Sequence, residues 1–441
     1  MPSEELNLSQ RTIFRLYWPL ALSWIFMALE IPISVSILSR LPHPAVNTAA
    51  LLILMAMAIW IESPVIDLLA TSTTLAKDAQ HYRVIRSFVA RLVIAVTLVH
   101  IAIVLTPIFP FLTETVMEVP HDVASAARSG LVLMIPWSAL IGWRRYLQGI
   151  LIRRGRTRPI SVGTAIRVTT ISSVGFSLFA LTDLSGIVII SIATMASVFN
   201  EAVFMAFVSR SSIRELCAQT SDEPPLTMGR LARFHFPLSL STMVTLTGMP
   251  FIGAALARSP DAVIAMASWQ VASGIIFLPR SITFALLEVV ISRLSSRGGP
   301  ATLRTFCIRI GAGASLVMLA AWLSRADYFV FNKVLGASPE IAADARTAFL
   351  GCALVPVLNA AMSYLRGRLT EAHMTVARLT AIGAGMVSLI VMLIVGVILR
   401  WQGVLVAAAA LTISQAVELL ALKVCWGARS RSKLAPNTAS S

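Results

Sequence analysis

Residues 18–23 read Trp-Pro-Leu-Ala-Leu-Ser, and residues 236–241 read Phe-Pro-Leu-Ser-Leu-Ser; each opens a long apolar run. The step in numbering from 18 to 236 returns further along the two runs, where Ile31-Pro32 is answered by Met249-Pro250 and Arg40 by Arg258. It returns again between Tyr146-Leu147-Gln148-Gly149 and Tyr364-Leu365-Arg366-Gly367. One match between apolar segments is what chance supplies. Several at one offset, close to half of the chain, point to an internal duplication.

The composition says what was duplicated. The chain has 441 residues and a formal charge of +15; 57% of its residues are hydrophobic and only 13% are charged. A water-solvated domain carries about 25% charged residues, so a soluble globule is excluded, and a disordered chain with it. A helix needs about 20 apolar residues to cross the hydrocarbon. Such runs number twelve, roughly 13–38, 45–72, 88–112, 124–143, 160–182, 184–208, 231–257, 262–291, 303–324, 342–365, 375–399 and 403–426. The polar first dozen residues, with Glu4 and Glu5, do not read as a cleavable signal peptide.

Charge sets the expected orientation. With both termini in the cytoplasm, 27 of the 36 Lys and Arg fall at cytoplasmic ends and seven at outer ends, while Arg167 and Arg280 lie inside spans. That bias is the positive-inside signature. It also accounts for the basic chain without nucleic acid, through anionic lipid headgroups. The expected fold is therefore an all-α membrane protein of twelve transmembrane helices in two six-helix lobes. An offset of six spans keeps the lobes in one orientation, which makes a parallel repeat. The expected divisions are an N-lobe over 1–208, a cytoplasmic linker over 209–230, a C-lobe over 231–426 and a cytoplasmic tail over 427–441.

Twelve spans in two lobes, the Pro-Leu opening of spans 1 and 7, and Arg145-Tyr146-Leu147-Gln148-Gly149 followed by Arg154-Gly155-Arg156-Thr157-Arg158-Pro159 together resemble the multidrug and toxic-compound extrusion (MATE) proteins. Their wider superfamily includes flippases of lipid-linked oligosaccharides and of lipid II, and the progressive ankylosis protein. The resemblance implies secondary, cation-driven export by alternating access, with H+ or Na+ as the coupling ion and no cofactor. It leaves the substrate open, as small molecule or lipid-linked compound. An acid beside a proline in span 1 is similar to the ion-responsive helix of MATE proteins.

Ionisable groups at bilayer depth are costly and mark candidate sites. Glu30 lies a few residues past the middle of span 1, on the outer side, and Pro32 beside it is a hinge because its ring and missing N–H weaken the helix. Pro250 repeats the hinge, but Gly248 stands where the acid would be. Glu30 is thus the candidate for proton or ion coupling. Glu62, Arg167, Glu201, Arg280 and Glu418 fall in one layer toward the cytoplasm. That layer reads either as a substrate or gate cluster, clamping an anion between Arg167 and Arg280, or as plain pairing of Arg167 with Glu62 or Glu201 and of Arg280 with Glu418. The arginine run 144–158 reads as an interfacial anchor or a phosphate contact, and Asp67 and Glu288 as rim residues.

Absences narrow the class. No lysine follows a glycine, so a Walker A loop is missing, and HExxH is missing too. Cys217, Cys307, Cys352 and Cys425 are far apart and give no metal or disulfide pattern. Two hypotheses remain: an ion-coupled exporter or flippase working as a monomer in a bacterial inner membrane, or an intramembrane enzyme acting on lipid-linked substrates.

Overall fold

A computed structural model describes residues 9–219, 224–294, 299–372 and 374–432, and every regular element among them is helical. Among the described residues, eleven helices are long and apolar enough to cross a bilayer. They are Gln10–Leu38 (span 1), Pro44–Leu75 (span 2), Ala79–Leu105 (span 3), Arg158–Leu181 (span 5), Gly186–Val208 (span 6) and Met228–Ala257 (span 7), then Ala262–Arg293 (span 8), Gly299–Leu323 (span 9), Pro339–Glu371 (span 10), Val376–Ile398 (span 11) and Gly403–Gly427 (span 12). Span 4 is a pair, His121–Leu133 and Trp137–Arg153, bent by 52°. The chain is an integral, multi-pass membrane protein. Residues 433–441 of the expected tail lie outside the described residues, as do 220–223 of the expected linker, while 427–432 continue the last helix.

Prolines place the breaks. Pro32 has no N–H for the carbonyl of Ala28, and the helix lapses at Leu29; Pro250 does the same to Leu246, with the lapse at Thr247. Both breaks fall three residues before the prolines that the sequence offers as hinges. Pro136 leaves the carbonyl of Val132 without its helical donor and bends span 4, which the sequence gives as one run over 124–143. The helix runs on to Arg153, so Arg144 and Arg145 sit within it. In span 2, Pro64 strips Trp60 of its donor, and Ser63 Oγ donates to that carbonyl at 2.7 Å. The Pro64 carbonyl in turn accepts from His235 Nε2 of span 7 at 2.9 Å, while His235 Nδ1 accepts from Thr71 Oγ1 at 2.8 Å.

The element pattern repeats. His121–Leu133 and Trp137–Arg153 return as Pro339–Gly351 and Val355–Glu371 at the same offset as the sequence matches, and Arg158–Leu181 returns as Thr375–Ile398, one position short of it. Contacts repeat with it. Gly149 packs against Ser72, and Gly367 packs against Val290, the residue one repeat on from Ser72. Arg128 donates to the Val104 carbonyl at 2.9 Å, and Arg346 donates to the Trp322 carbonyl at 2.5 Å, again one repeat apart.

The packing units nevertheless cross the sequence halves. The larger unit is Leu29–Val271 with Val334–Ile341; the second holds the chain up to Ala28, Ala272–Lys333 and everything from Ala342 on. One border falls in span 1 at the Pro32 hinge, the other in the middle of span 8. The first part of span 1 belongs to the second unit, where Ile13, Tyr17 and Ala21 are buried with Leu286, Val290 and Phe306. Tyr17 Oη donates to the Ile282 carbonyl at 3.0 Å there and its ring meets Phe306 edge-on at 5.3 Å.

Candidate functional site

The larger unit holds a buried charge network built by five spans. Span 1 resumes as a helix at Glu30, the residue after the Leu29 break, and its carboxylate is turned inside. Arg167 of span 5 meets it, Nη2 to Oε2, at 2.6 Å. The other end of the Arg167 guanidinium stands 3.9 Å from Oε2 of Glu201 in span 6. That same oxygen accepts from Arg144 of span 4 at 2.6 Å, and Glu201 Oε1 accepts from Gln148 at 3.3 Å. Glu201 is fully buried, and Glu30, Arg144 and Arg167 are each less than 8% exposed, so every charge is out of water. Buried ions cost several kcal/mol apiece unless paired, which is why the arginines and acids converge. Trp137, at the start of the second half of span 4, lies 5.7 Å under the Arg167 guanidinium as a cation–π partner.

Glu62 of span 2 completes the set at 6% exposure, acted on by Arg144, Arg145 and Arg167. Three acids therefore face three arginines. The network is balanced in charge but short of hydrogen bonds. Glu30 Oε1 and the Nε atoms of Arg144, Arg145 and Arg167 are buried without a partner. A buried network with open donors and acceptors is costly as it stands and has room to rearrange. Among the described residues, no three His, Cys, Asp or Glu side chains are placed to hold a metal ion.

The second unit is built differently. Arg366 of span 10 donates from both Nε and Nη2 to Oε1 of Glu418 in span 12, the Nε contact at 2.9 Å. Arg366 stands one repeat on from Gln148, and Glu418 one position short of a repeat from Glu201, which makes the two pairs counterparts. Arg280 of span 8 is not paired to Glu418; its guanidinium lies 5.5 Å over the Phe284 ring, and its Nε is buried and unpartnered. Gln415, one turn before Glu418, is 5% exposed with both amide atoms unpartnered. Gly248 and Ala384 stand at the repeat positions of Glu30 and Arg167, so the central pair of the larger unit has no copy in the second half.

The structure thus joins Glu30, Arg167 and Glu201 directly, sets Glu62 beside them, and leaves Arg280 and Glu418 in the other unit. The pairing reading of the sequence joins Arg167 to Glu62 or Glu201; Arg167 does stand 3.9 Å from Glu201, but its shortest contact is with Glu30. The sequence also places Arg144 in an interfacial run, and it is buried in the network instead. Its signal is present: Trp137, Ile141, Arg144 and Gln148 recur at helical spacing along one face. Arg366 gives no comparable sign. Pro32 and Pro250 lie at the two hinges, Asp67 at the break of span 2 and Glu288 on an exposed face of span 8.

No family model and no curated protein matches the sequence. Solved structures share the fold over nearly the whole chain. An inward-facing multidrug resistance MATE family transporter of the MOP superfamily superposes with a TM-score of 0.66 at 13% identity, covering 96% of this chain and 97% of that one. The lipid II flippase MurJ in an inward closed conformation gives 0.68 at 14%, covering 92% and 86%. A MOP superfamily transporter from Pyrococcus furiosus, described as having a binding pocket of reverse polarity that suggests a different function, gives 0.63 at 16% over 98% of both chains. The fold is that of MATE transporters and the MurJ flippase.

Proposed function

We propose that the chain is a cation-coupled secondary transporter of the exporter or flippase kind, working as a monomer by alternating access, with Glu30 as the coupling acid. The observation that carries this is the 2.6 Å pair between Glu30 and Arg167, one residue beyond the point where the chain passes from one packing unit to the other. A proton or Na+ on the Glu30 carboxylate would neutralise it and release Arg167. Glu201, already 3.9 Å away, is the acceptor next in reach. Moving Arg167 toward Glu201 competes with Arg144, so a change at the span 1 hinge passes to spans 5, 6 and 4. Because Gly248 replaces the acid at the second hinge, this response belongs to one half only.

Liposomes carrying the full chain and a pH dye test this with two probes, ethidium as a cation and a fluorescent polyprenyl pyrophosphate as an anion. An imposed proton or Na+ gradient should drive one of them, and Glu30→Gln should abolish the drive while leaving the folded protein monodisperse. Unchanged gradient-driven movement in Glu30→Gln would sink the coupling role. Turnover of a lipid-linked substrate in detergent, where no gradient exists, would favour the enzyme reading instead.

Within transport, the second unit favours an anionic or pyrophosphate-bearing cargo. Arg280 Nε and the whole Gln415 amide are donors or acceptors without protein partners, and a guanidinium suits a phosphate oxygen pair. The charge bias of the loops supports a bacterial inner membrane with both termini in the cytoplasm.

A further inference from the structure

At the ends of spans 1 and 7, two arginines one repeat apart do the same thing to each other's halves. Arg258 closes span 7 and donates from Nη2 to the Val116 carbonyl at 2.6 Å and from Nη1 to the Met117 carbonyl at 3.1 Å. Arg40 closes span 1 and donates from Nη2 to the Val334 carbonyl at 2.8 Å and from Nη1 to the Leu335 carbonyl at 3.2 Å. Val334 and Leu335 follow Val116 and Met117 by the same offset in numbering as Arg258 follows Arg40. Each half therefore supplies the arginine that caps the other half's connection.

The capped segments are unusual in the same way. Phe111–Val116 and Val330–Val334 are single π-helical turns, the kind of local distortion that recurs at functional sites. The carbonyls that end them have no donor within their own helix. The chain then reverses through a left-handed residue, Glu118 at φ 57° and Gly336 at φ 77°. Glycine suits the second site doubly, since a Cβ there would stand 3.1 Å from Arg40 Nη1. At the first site a glutamate takes the strained conformation, and its carboxylate pairs with Arg258 at 3.0 Å. Val334–Ile341 is packed in the larger unit although the chain on both sides of it belongs to the second unit.

We propose that Arg40 and Arg258 are matched positioning residues of the transport cycle: a pair of crossed latches that hold the ends of spans 1 and 7 on the other half's connection and must let go of the π turns as the cycle turns. The inference rests on the transporter reading, but its test uses no substrate and no gradient. Release asks the end of span 1 to leave the span 9–10 connection, and that of span 7 to leave the span 3–4 connection. Neither can happen with the bidentate contacts in place, and a symmetric pair means that both release together.

The test uses the full chain in lipid nanodiscs, with its four cysteines replaced and spin labels at His43→Cys and Glu340→Cys, both exposed positions of the larger unit. Arg40→Ala with Arg258→Ala should add a longer-distance population. Arg40→Lys with Arg258→Lys should fall between, because one ammonium cannot span two carbonyls in a fixed fork. Hydrogen exchange on the single variants should be reciprocal, rising about tenfold at 330–336 in Arg40→Ala and at 111–118 in Arg258→Ala. Faster exchange with an unchanged distance distribution would make the arginines local caps and overturn the latch. If the double alanine variant is not monodisperse, the lysine pair is read in its place, and a distribution identical to the parent overturns the proposal equally. A latch that opens as expected, in a protein that moves no probe in liposomes, would count against the transporter reading alone.

Discussion

The Glu30 carboxylate and the Arg167 guanidinium meet at 2.6 Å inside the larger unit, closer than the 3.9 Å that separates Arg167 from Glu201. The pair sits at the hinge, so its energetics set how readily the hinge responds. Removing one member of a buried pair leaves an uncompensated charge, at a cost of about 3–5 kcal/mol. Arg167→Ala strands less than that, because Glu30 can take up a proton. Glu30→Gln strands a cation that has no such escape, but Glu201 stands 3.9 Å away to receive it.

From this follows a double-mutant cycle. Glu30→Gln and Arg167→Gln should each lower the melting temperature in detergent, and the double variant should be less destabilised than the sum of the two, with a coupling energy of about 2 kcal/mol. Additive losses would mean that the contact is not an energetic unit.

The repeated Tyr-Leu-x-Gly motif gives a packing prediction. A Cβ on Gly149 would collide with Ser72 Oγ and lie 2.5 Å from the Leu69 carbonyl oxygen, which is backbone and cannot swing aside. Gly367 would meet Val290 Cγ1 at 2.5 Å, a side chain with some freedom. Gly149→Ala should therefore cost more than Gly367→Ala, by about 1–3 kcal/mol at the first site. Gly313→Ala, with nothing within 4 Å, should be neutral or gain helix stability. Thermal unfolding of the three variants checks the order, and equal losses at all three would refute it.

Much of the architecture is legible in the residues alone, and the boundary of what is legible is physical. A proline acts on the carbonyl four residues before it, so the hinges at Pro32 and Pro250 follow from local chemistry. Span count and the repeat offset follow from hydropathy and matching residues. The partner of Arg167 does not, because it depends on how five helices are rotated against one another, and sequence gives depth far better than azimuth. Arg144 is misplaced for a related reason. Polar residues at a helix end look interfacial until the neighbouring spans are known to cover them. The crossing of units over halves is hidden because the break at Leu29 lets one apolar run serve two bodies.

Asp78 offers a test outside the spans. It caps the helix of span 3, accepting from the His81 amide at 2.9 Å and from His81 Nδ1 at 2.9 Å. Partial burial pushes its carboxyl up, but the His81 amide, the His81 ring and the Gln80 amide together outweigh that and hold it below the ordinary aspartate range. A carboxyl depressed in the folded state stabilises above its unfolded value and loses that contribution as pH falls through the folded value. Acidification below the ordinary aspartate range should thus lower the melting temperature of the parent more than that of Asp78→Asn. At neutral pH, Asp78→Ala should cost about 1 kcal/mol as a lost N-cap. Parallel pH profiles for parent and Asp78→Asn would show the cap to be idle.

The last prediction separates cargo from scaffold in the second unit. Arg366 is committed to Glu418 through two donors, whereas Arg280 has only the Phe284 face and an unpartnered Nε. Replacing Arg366 should therefore act chiefly on stability, since it leaves a buried carboxylate alone. Replacing Arg280 removes a charge with no protein partner to strand, so the fold should tolerate Arg280→Ala. Its effect should surface instead in cargo selection. Loss of one guanidinium contact to a phosphate is worth about 1.5–3 kcal/mol, or roughly ten- to a hundredfold in apparent affinity. Movement of the polyprenyl pyrophosphate probe should weaken by that factor in Arg280→Ala while ethidium movement is unchanged or improved. Equal weakening of both probes would place Arg280 in the scaffold and remove the argument for an anionic cargo.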